Sequence, residues 1–200
     1  MGGKILVISG PSGCGKSSLI NEILKSQKDI YFSLSSTTRE IREGEKEGVN
    51  YHYITKERFE KEIEEGEFLE WANVHGNYYG TSLKPIYKAI DENKLVILDI
   101  DVQGHEIVKK KFKRILTSVF LTTPSKLELE KRLLHRGTDS KDTIKKRLHN
   151  AKKEMSRIKE YEYLLVNDDF DKTLDDFKAI IQTARLKFSK EDIESFAKSW

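Results

Sequence analysis

The stretch GPSGCGKS at residues 10–17 fits the pattern G-x-x-x-x-G-K-[ST] at every fixed position. It directly follows the apolar run ILVI at residues 5–8, and a helical pattern begins after it. Glycines let such a backbone curl so that successive N–H groups point at phosphate oxygens, and the helix start adds the positive end of its dipole. The stretch therefore predicts a strand, a phosphate-binding loop and a helix, which together would hold a nucleoside triphosphate.

Two side chains of this loop have predicted roles: Lys16 reaches the β- and γ-phosphates, and Ser17 ligates Mg²⁺. A glycine-rich turn that only joins a strand to a helix is the alternative, but every fixed position and both flanks match. We assign binding of the nucleoside triphosphate to Gly10, Pro11, Ser12, Gly13, Cys14, Gly15, Lys16, Ser17 and Ser18.

Cys14 lies within this loop near the start of the helix, a position that favours the thiolate form. We expect the thiol to be alkylated readily in the free protein and to be protected by ATP. A buried, unreactive side chain is the competing interpretation.

The composition sets limits on the class of protein. Two hundred residues with 37% hydrophobic content are enough for one domain with a real core. The 36 basic and 33 acidic residues nearly balance, which does not indicate a nucleic-acid-binding protein. One cysteine excludes an intrachain disulfide, and no apolar stretch approaches the roughly 20 residues of a membrane helix. Because the N-terminus runs straight into the first strand, with no room for a signal peptide, we expect a cytoplasmic protein that binds neither nucleic acid nor membrane.

Compact apolar runs alternate with helical patterns along the chain. The runs predict strands buried on both faces at 4–9, 95–100, 115–121 and 163–166. The helical patterns cover about 16–27, 56–65, 83–92, 103–111, 125–135, 140–160 and 171–187. This alternation predicts an α/β fold with a parallel sheet flanked by helices, and ligands at the carboxyl ends of the strands.

Two segments interrupt the alternation. Residues 35–82 are polar and carry short alternating pieces such as 51–54, which suits a small β-rich insertion. Residues 125–160 are strongly charged and predict a helical flap. We expect both to be mobile parts of a single domain over residues 1–200, whose core comprises 1–34, 83–124 and 161–200.

The predicted strand at 95–100 carries Asp99 near its end, followed by Asp101. A carboxylate delivered by an apolar strand beside a phosphate loop would hold Mg²⁺ or its water, because this hard cation prefers oxygen ligands. An acidic pair that caps the helix at 103–111 is the alternative. Beside an intact phosphate loop we favour the metal interpretation, with Ser17 and Asp99 as the metal ligands.

The insertion contains Arg39 and Arg42, three residues apart and beside hydroxyl groups. Such a pair suits a phosphate monoester, because guanidinium groups bind oxyanions bidentately, and tyrosine hydroxyls would complete the site. The alternative is a solvated loop in which the arginines pair with Glu40, Glu43 or Glu45.

The flap carries Arg132 and Arg136 at i and i+4, with Arg147 on the following helix. Like charges this close repel each other on an isolated helix, but they become favourable around a triphosphate or a transferring phosphoryl group. We therefore predict that they act with Lys16 in catalysis. An ordinary i,i+4 salt bridge between Glu128 and Arg132 is the alternative.

Taken together, these motifs resemble the guanylate kinases, which transfer the γ-phosphate of ATP to GMP, and the resemblance runs from the first strand through residue 168. It implies a P-loop nucleoside monophosphate kinase fold, a β-rich insertion that binds GMP or dGMP, a helical lid over ATP, and Mg²⁺ as cofactor. In one departure, Ile41 stands between the two clamp arginines, where the family usually has proline. Both arginines are kept, so the departure puts the stiffness of the loop in question rather than its function.

The resemblance also assigns residues. The positions that correspond to GMP-binding residues are Ser35, Arg39, Arg42, Tyr51, Glu70, Tyr79, Thr81 and Asp101. Arg132, Arg136 and Arg147 match the lid arginines, and Asn167 falls where an adenine contact is expected. Guanine chemistry agrees: its N1–H and 2-amino donors call for carboxylates such as Glu70 and Asp101, and O6 calls for a donor such as Ser35.

Two other functions remain open on the sequence. A guanylate-kinase-like binding module without catalysis is disfavoured by the complete loop with Lys16 and Ser17. A related P-loop kinase for another small molecule is disfavoured by Glu70 with Asp101, since a sugar phosphate needs no paired acceptors. A monomer and a homodimer both fit the sequence.

Overall fold

The computed structural model describes residues 2–74, 76–135, 140–188 and 190–200. In this part of the chain the strands are β1 (Lys4–Ser9), β2 (Ile30–Phe32), β3 (Ser36–Thr37), β4 (His52–Tyr53), β5 (Phe68–Val74), β6 (Asn77–Ser82), β7 (Leu95–Asp99), β8 (Leu116–Thr122) and β9 (Tyr163–Val166). The helices are α1 (Lys16–Ser26), α2 (Lys56–Glu64), α3 (Leu83–Asp91), α4 (Val102–Phe112), α5 (Lys126–His135), α6 (Lys141–Met155), α7 (Phe170–Leu186) and α8 (Lys190–Lys198), with a short 3-10 helix at Ile158–Glu160.

The main sheet has five parallel strands in the order β2-β7-β1-β8-β9. Strand β1 is central, with Ile5 opposite Val96 of β7 and Leu116 of β8. All residues of β1 and β8 are buried, because helices cover both faces of the sheet. This two-sided burial explains why the strands read as unbroken apolar runs.

Alternate residues of β1 face two separate cores. Leu6 and Ile8 pack with α1 and α7, whereas Ile5 and Val7 pack with α3 and α4. A one-residue slip would exchange the two sets, so the register of β1 is strongly specified. The end of β1, where the phosphate loop begins, is thereby held in a fixed position.

A second sheet, in the order β4-β3-β6-β5, is formed within residues 36–82. Strands β5 and β6 form an antiparallel pair, and β3 joins β6 antiparallel and β4 parallel. Helix α2 contributes the fully buried Phe59, whose ring stacks on Phe68 and Tyr78 with centroids 4.2 and 5.2 Å apart. This aromatic stack gives the second sheet its own small core.

Helices α5 and α6 share a third small core of Leu129, Leu133, Ile144 and Ala151. The side chain of Ser140 caps α6 by accepting a hydrogen bond from the backbone N–H of Thr143. No helix in the described ranges is both long and apolar enough to cross a bilayer.

The predicted parallel sheet flanked by helices is confirmed, with strands at 4–9 and 163–166 as expected. Strand β2 was not predicted, because three residues at a sheet edge are too short to show a periodicity. The helix predicted over 140–160 is wrong at its C-terminal end. It stops at Met155 because the next N–H groups, of Ser156 and Arg157, bond three residues back and tighten the chain into a turn.

His105 of α4 is fully buried and stacks on Tyr161, with ring centroids 4.0 Å apart. Neither ring nitrogen has a hydrogen-bond partner in the described part of the chain. Burial, with a smaller contribution from Lys109, lowers the pKa of His105 to about 4. The folded protein therefore holds this imidazole neutral well below the pH at which an exposed histidine is protonated.

This buried imidazole predicts a pH-dependent stability. Between about pH 6.5 and pH 4 the unfolded chain binds a proton at His105 that the folded chain does not, so the free energy of unfolding falls as the pH falls. We expect the group to account for roughly 2–3 kcal/mol over this window. In urea titrations at several pH values, His105→Phe, which keeps the stacking, has a shallower pH dependence than the wild type.

The exposed His149 on α6 provides the control, because His149→Gln should keep the wild-type pH dependence. Equal slopes for the wild type and His105→Phe would contradict the assignment.

Candidate active site

The phosphate loop leaves β1 at Gly10 and enters α1 at Lys16, and two of its glycines are required by space as well as by conformation. Gly10 and Gly15 have φ values of 147° and 106°. A Cβ on Gly10 would lie 1.9 Å from the carbonyl oxygen of Leu121, and one on Gly15 would lie 2.3 Å from Nδ2 of Asn167. Leu121 of β8 and the side chain of Asn167, the residue after β9, thus lie directly against the loop backbone.

Asn167 holds the backbone of the phosphate loop in place. Its side-chain amide donates a hydrogen bond of 2.8 Å to the carbonyl of Cys14, and its backbone N–H donates to the carbonyl of Thr122 at 2.7 Å. Asn167 is itself buried at the end of β9. The sequence does not reveal this supporting contact, and the adenine contact expected of Asn167 stays a prediction.

Lys16 lies inside the curve of the loop. Its ammonium group donates to the carbonyl oxygen of Gly10 at 2.6 Å and lies 3.9 Å from Oδ1 of Asp99. Burial raises the pKa of Asp99, and the nearby Lys16 opposes that shift. The predicted juxtaposition of Lys16 with the carboxylate at the end of β7 is present in the structure.

The cleft beside the phosphate loop has a volume of about 1090 Å³, which is large enough for a nucleotide. It is lined by the loop and first turn of α1, including Ser17 and Ser18, by Asp99 at the end of β7, and by Asp101 just after it. Helices α5 and α6 close its other side. The cleft therefore joins the core to the segment predicted as a lid.

Asp99 and Asp101 have different environments. One oxygen of Asp101 accepts hydrogen bonds from the backbone N–H groups of Gln103 and Gly104, so Asp101 caps α4 as the alternative interpretation proposed. Asp99 makes no such cap and faces Lys16 instead. Both carboxylates nevertheless line the cleft.

The structure describes two of the three lid arginines. Arg132 lines the cleft and donates from Nε to Glu128 at 2.8 Å, which is the i,i+4 pair named as the alternative. Arg147 of α6 donates to the hydroxyl of Ser12 and ties α6 to the phosphate loop. Arg136 lies outside the described residues.

The segment predicted to clamp a phosphate monoester surrounds Glu45. Arg39 donates to both carboxylate oxygens of Glu45, at 2.8 and 2.9 Å, and Tyr53 donates to the same carboxylate at 2.8 Å. These bonds lower the pKa of Glu45 to about 2. Arg42 is exposed and contributes its backbone N–H to Glu45. The carboxylate pairing proposed as the alternative for Arg39 is therefore present, and the sequence did not point to Tyr53.

Tyr51 and Tyr79 lie beside this clamp. The guanidinium of Arg39 is 5.7 Å from the centroid of the Tyr51 ring, and the rings of Tyr51 and Tyr79 are 5.9 Å apart in an edge-on arrangement. Tyr79 also interacts with the guanidinium of Arg39 and helps to raise the pKa of that group. The structure thus brings these three predicted residues together.

Glu70 and Thr81 meet where β5 pairs with β6. The Thr81 hydroxyl donates to Glu70 at 2.7 Å, which fixes the orientation of the carboxylate. Burial raises the pKa of Glu70, and the charge of Asp101 acts in the same direction. The two carboxylates assigned to guanine are close enough to repel each other. Ser35 lies just before β3, where its carbonyl accepts from the backbone of His52.

Glu154 is a cleft residue that the sequence reasoning missed. It projects from the last turn of α6 into the cleft, and its Oε2 is buried without a hydrogen-bond partner in the described part of the chain. Burial raises the pKa of Glu154 and the charge of Lys16 lowers it. In the sequence this glutamate stands among many charged residues of the flap. Its spacing of seven from Arg147, which puts both on one helix face, was the only available signal.

The expectation of a reactive Cys14 is wrong. The side chain has an exposed fraction of 0%, and burial raises the pKa of the thiol although Lys16 pulls in the opposite direction. Cys14 faces the core between α1 and α7 rather than the ligand side of the loop. Its backbone, not its sulfur, belongs to the phosphate loop.

Comparisons with known proteins agree over nearly the whole chain. The family model described as guanylate kinase matches residues 2–184. A guanylate kinase of Sulfurimonas denitrificans is 50% identical over 99% of this chain and 96% of its own length, and one of Helicobacter pylori is 47% identical over 98% and 95%. A crystal structure of guanylate kinase from Anaplasma phagocytophilum superposes with a TM-score of 0.71 at 32% identity, covering 93% of this chain and 88% of that one.

The burial of Cys14 makes a direct prediction about thiol chemistry. Alkylation in the native protein should be at least about 100-fold slower than in the same protein unfolded in urea, because the reagent must wait for local opening. The rates are measured by mass spectrometry after quenching. Equal alkylation rates in the native and unfolded protein would contradict protection by burial and would support the interpretation of Cys14 as a reactive thiolate.

Proposed function

The chain belongs to the guanylate kinase family and is an ATP:GMP phosphotransferase, and we propose a division of labour among its residues that follows the layout of the cleft. The observation that carries the proposal is the position of Lys16. Its ammonium group lies in the curve of the phosphate loop, 3.9 Å from Asp99, at the base of a cleft that also reaches Asp101. Donor and acceptor nucleotides would approach each other along this cleft.

We propose that the β- and γ-phosphates of ATP bind to backbone N–H groups of the loop within residues 12–17, with Ser18 in the same turn. Lys16 would then exchange the Gly10 carbonyl for phosphate oxygens, an exchange of one acceptor for a more strongly charged one. Asn167 supports this arrangement because it holds the Cys14 carbonyl away from the phosphates.

Mg²⁺ is proposed to enter with the phosphates of ATP. Ser17 and Asp99 supply oxygen ligands of the kind this cation prefers, and the unpartnered Glu154 oxygen leaves acceptor capacity in the same cleft. Held by Ser17 and Asp99, Mg²⁺ would supply positive charge that offsets the negative charge of the phosphate oxygens of ATP. The residues present therefore fit the cofactor.

The second sheet is proposed to bind GMP or dGMP. The phosphate of GMP would displace the Glu45 carboxylate from Arg39, with Arg42, Tyr51 and Tyr79 completing the clamp. This exchange keeps the guanidinium paired with an oxyanion throughout, so its desolvation is never left uncompensated.

The guanine base is proposed to meet Glu70 and Asp101 through its N1–H and 2-amino donors, and Ser35 through O6. Thr81 supports Glu70, because the hydrogen bond from its hydroxyl leaves the second carboxylate oxygen of Glu70 for the base.

Transfer itself needs no covalent intermediate. The acceptor phosphate attacks in line, while Lys16 and the arginines at 132, 136 and 147 stabilise the charge on the transferred group. We propose that the segments at about 35–82 and 125–160 close on the core to exclude water, since water in the closed site would hydrolyse ATP. The chain is proposed to work in the cytoplasm, where both nucleotides are available, as a monomer or homodimer.

Base selection by Glu70 is tested by Glu70→Gln. The amide keeps one acceptor oxygen and gains a donor, so it can no longer accept from both the N1–H and the 2-amino group of guanine, which should cost about 2–4 kcal/mol in transition-state stabilisation. A coupled assay with ATP and Mg²⁺ across nucleoside monophosphates should show turnover of GMP and dGMP by the wild type. For the variant kcat/KM falls for GMP, and falls less for IMP, which lacks the 2-amino group.

The control is Glu64→Gln on α2, an exposed carboxylate in the same segment, which should keep wild-type kinetics. An unchanged ratio of GMP to IMP activity in Glu70→Gln would refute the assignment of Glu70 to the base.

A further inference from the structure

The carboxylate of Glu154 is unusual among the charged groups of the cleft because part of its hydrogen-bonding capacity is unused. Its Oε2 is buried and has no partner within the described residues, whereas Arg132, Arg39 and Asp101 are each held by an identified neighbour. A buried carboxylate oxygen without a donor is costly, and such groups call for a missing partner. No donor among the described residues fills this role, which points to a bound ligand as the partner.

The position of Glu154 on α6 narrows the choice of partner. Arg147 lies seven residues earlier on the same helix face, and its bond to Ser12 seats α6 on the phosphate loop. With α6 seated in this way, the carboxylate of Glu154 enters the same cleft as Lys16, Ser17 and Asp99. The missing donor is therefore expected at the phosphate end of ATP.

The charges around Glu154 narrow the choice of its partner further. The charge of Lys16 attracts the Glu154 carboxylate, and the charge of Asp101 repels it. A triphosphate without metal would add negative charge beside Glu154 and be repelled. A triphosphate with Mg²⁺ brings positive charge, and because this ion keeps several of its waters in proteins, it also brings strongly polarised O–H donors.

We propose that Glu154 is a positioning residue that accepts a hydrogen bond from a water in the hydration shell of Mg²⁺ bound to ATP. This inference rests on the role of Mg²⁺ under the proposed function and adds a residue to it. Glu154 thereby favours the metal complex of ATP over free ATP, and because it shares α6 with Arg147, it links the metal to the seating of the lid on the loop.

The test compares ATP binding with excess Mg²⁺ and with EDTA, by calorimetry, for the wild type, Glu154→Gln and Glu130→Gln. Glu130 is a matched control, because its carboxylate is on α5 of the same lid but lines a separate groove behind the cleft. In Glu154→Gln we expect the enhancement of ATP affinity by Mg²⁺ to fall about tenfold, with binding in EDTA equal or tighter. GMP affinity should stay at the wild-type value, and Glu130→Gln should match the wild type throughout.

A second readout is direct: Mn²⁺ bound to the complex of enzyme and ADP, followed by electron paramagnetic resonance, should be held more weakly in Glu154→Gln. Glu154→Asp, which keeps the charge, should recover most of the Mg²⁺ enhancement. Glu154→Ala, which removes the carboxylate, replaces Glu154→Gln in both measurements if that variant fails to fold.

An unchanged enhancement in Glu154→Gln would overturn the proposal, as would a loss of GMP affinity with the enhancement intact. A wild type without any enhancement by Mg²⁺ would instead remove the cofactor role itself.

Discussion

The close approach of two neighbouring strands to the phosphate loop is the constraint on which the rest of the site depends. The Leu121 carbonyl and the Asn167 amide lie so near Gly10 and Gly15 that no side chain fits at either position. Because β1 is buried on both faces, its register is fixed, and so is the position at which the loop begins. The close contacts at Gly10 and Gly15 then restrict the backbone conformation of the loop. Lys16 and Asp99 then face each other, because the loop that carries Lys16 follows β1, and Asp99 ends β7, the neighbour of β1 in the sheet.

Several of the cationic side chains that would bind phosphate are already hydrogen-bonded to acceptors within the protein. Lys16 is held by a backbone carbonyl, Arg39 by Glu45, and Arg132 by Glu128. These bonds keep long side chains ordered, so less conformational entropy is lost when a substrate oxyanion takes the acceptor's place. An arginine that is paired with a carboxylate in the free protein can therefore still bind a substrate phosphate, because the phosphate takes the place of the carboxylate.

The sequence predicted what depends on local order and missed what depends on contacts between distant residues. The loop and the buried strands follow from nearby residues, as does the cap formed by Asp101, which the sequence offered only as the alternative to a metal site. The bond from Asn167 to Cys14 spans 153 positions, and the unpartnered oxygen of Glu154 is visible only once α6 is seated. For Cys14, local order was misleading. Its position near the start of a helix suggested a reactive thiol, but packing against distant residues buries its sulfur.

The central claim is that the core loop and the second sheet hold different substrates, and separate binding of each nucleotide tests it most directly. Calorimetry with ATP alone and with GMP alone is compared for Arg39→Ala and Lys16→Ala. The account predicts that Arg39→Ala weakens GMP binding about tenfold or more while leaving ATP affinity nearly intact, because a charge-assisted clamp is lost at one site only. Lys16→Ala should leave GMP binding nearly intact. Loss of ATP affinity without loss of GMP affinity in Arg39→Ala would contradict the account.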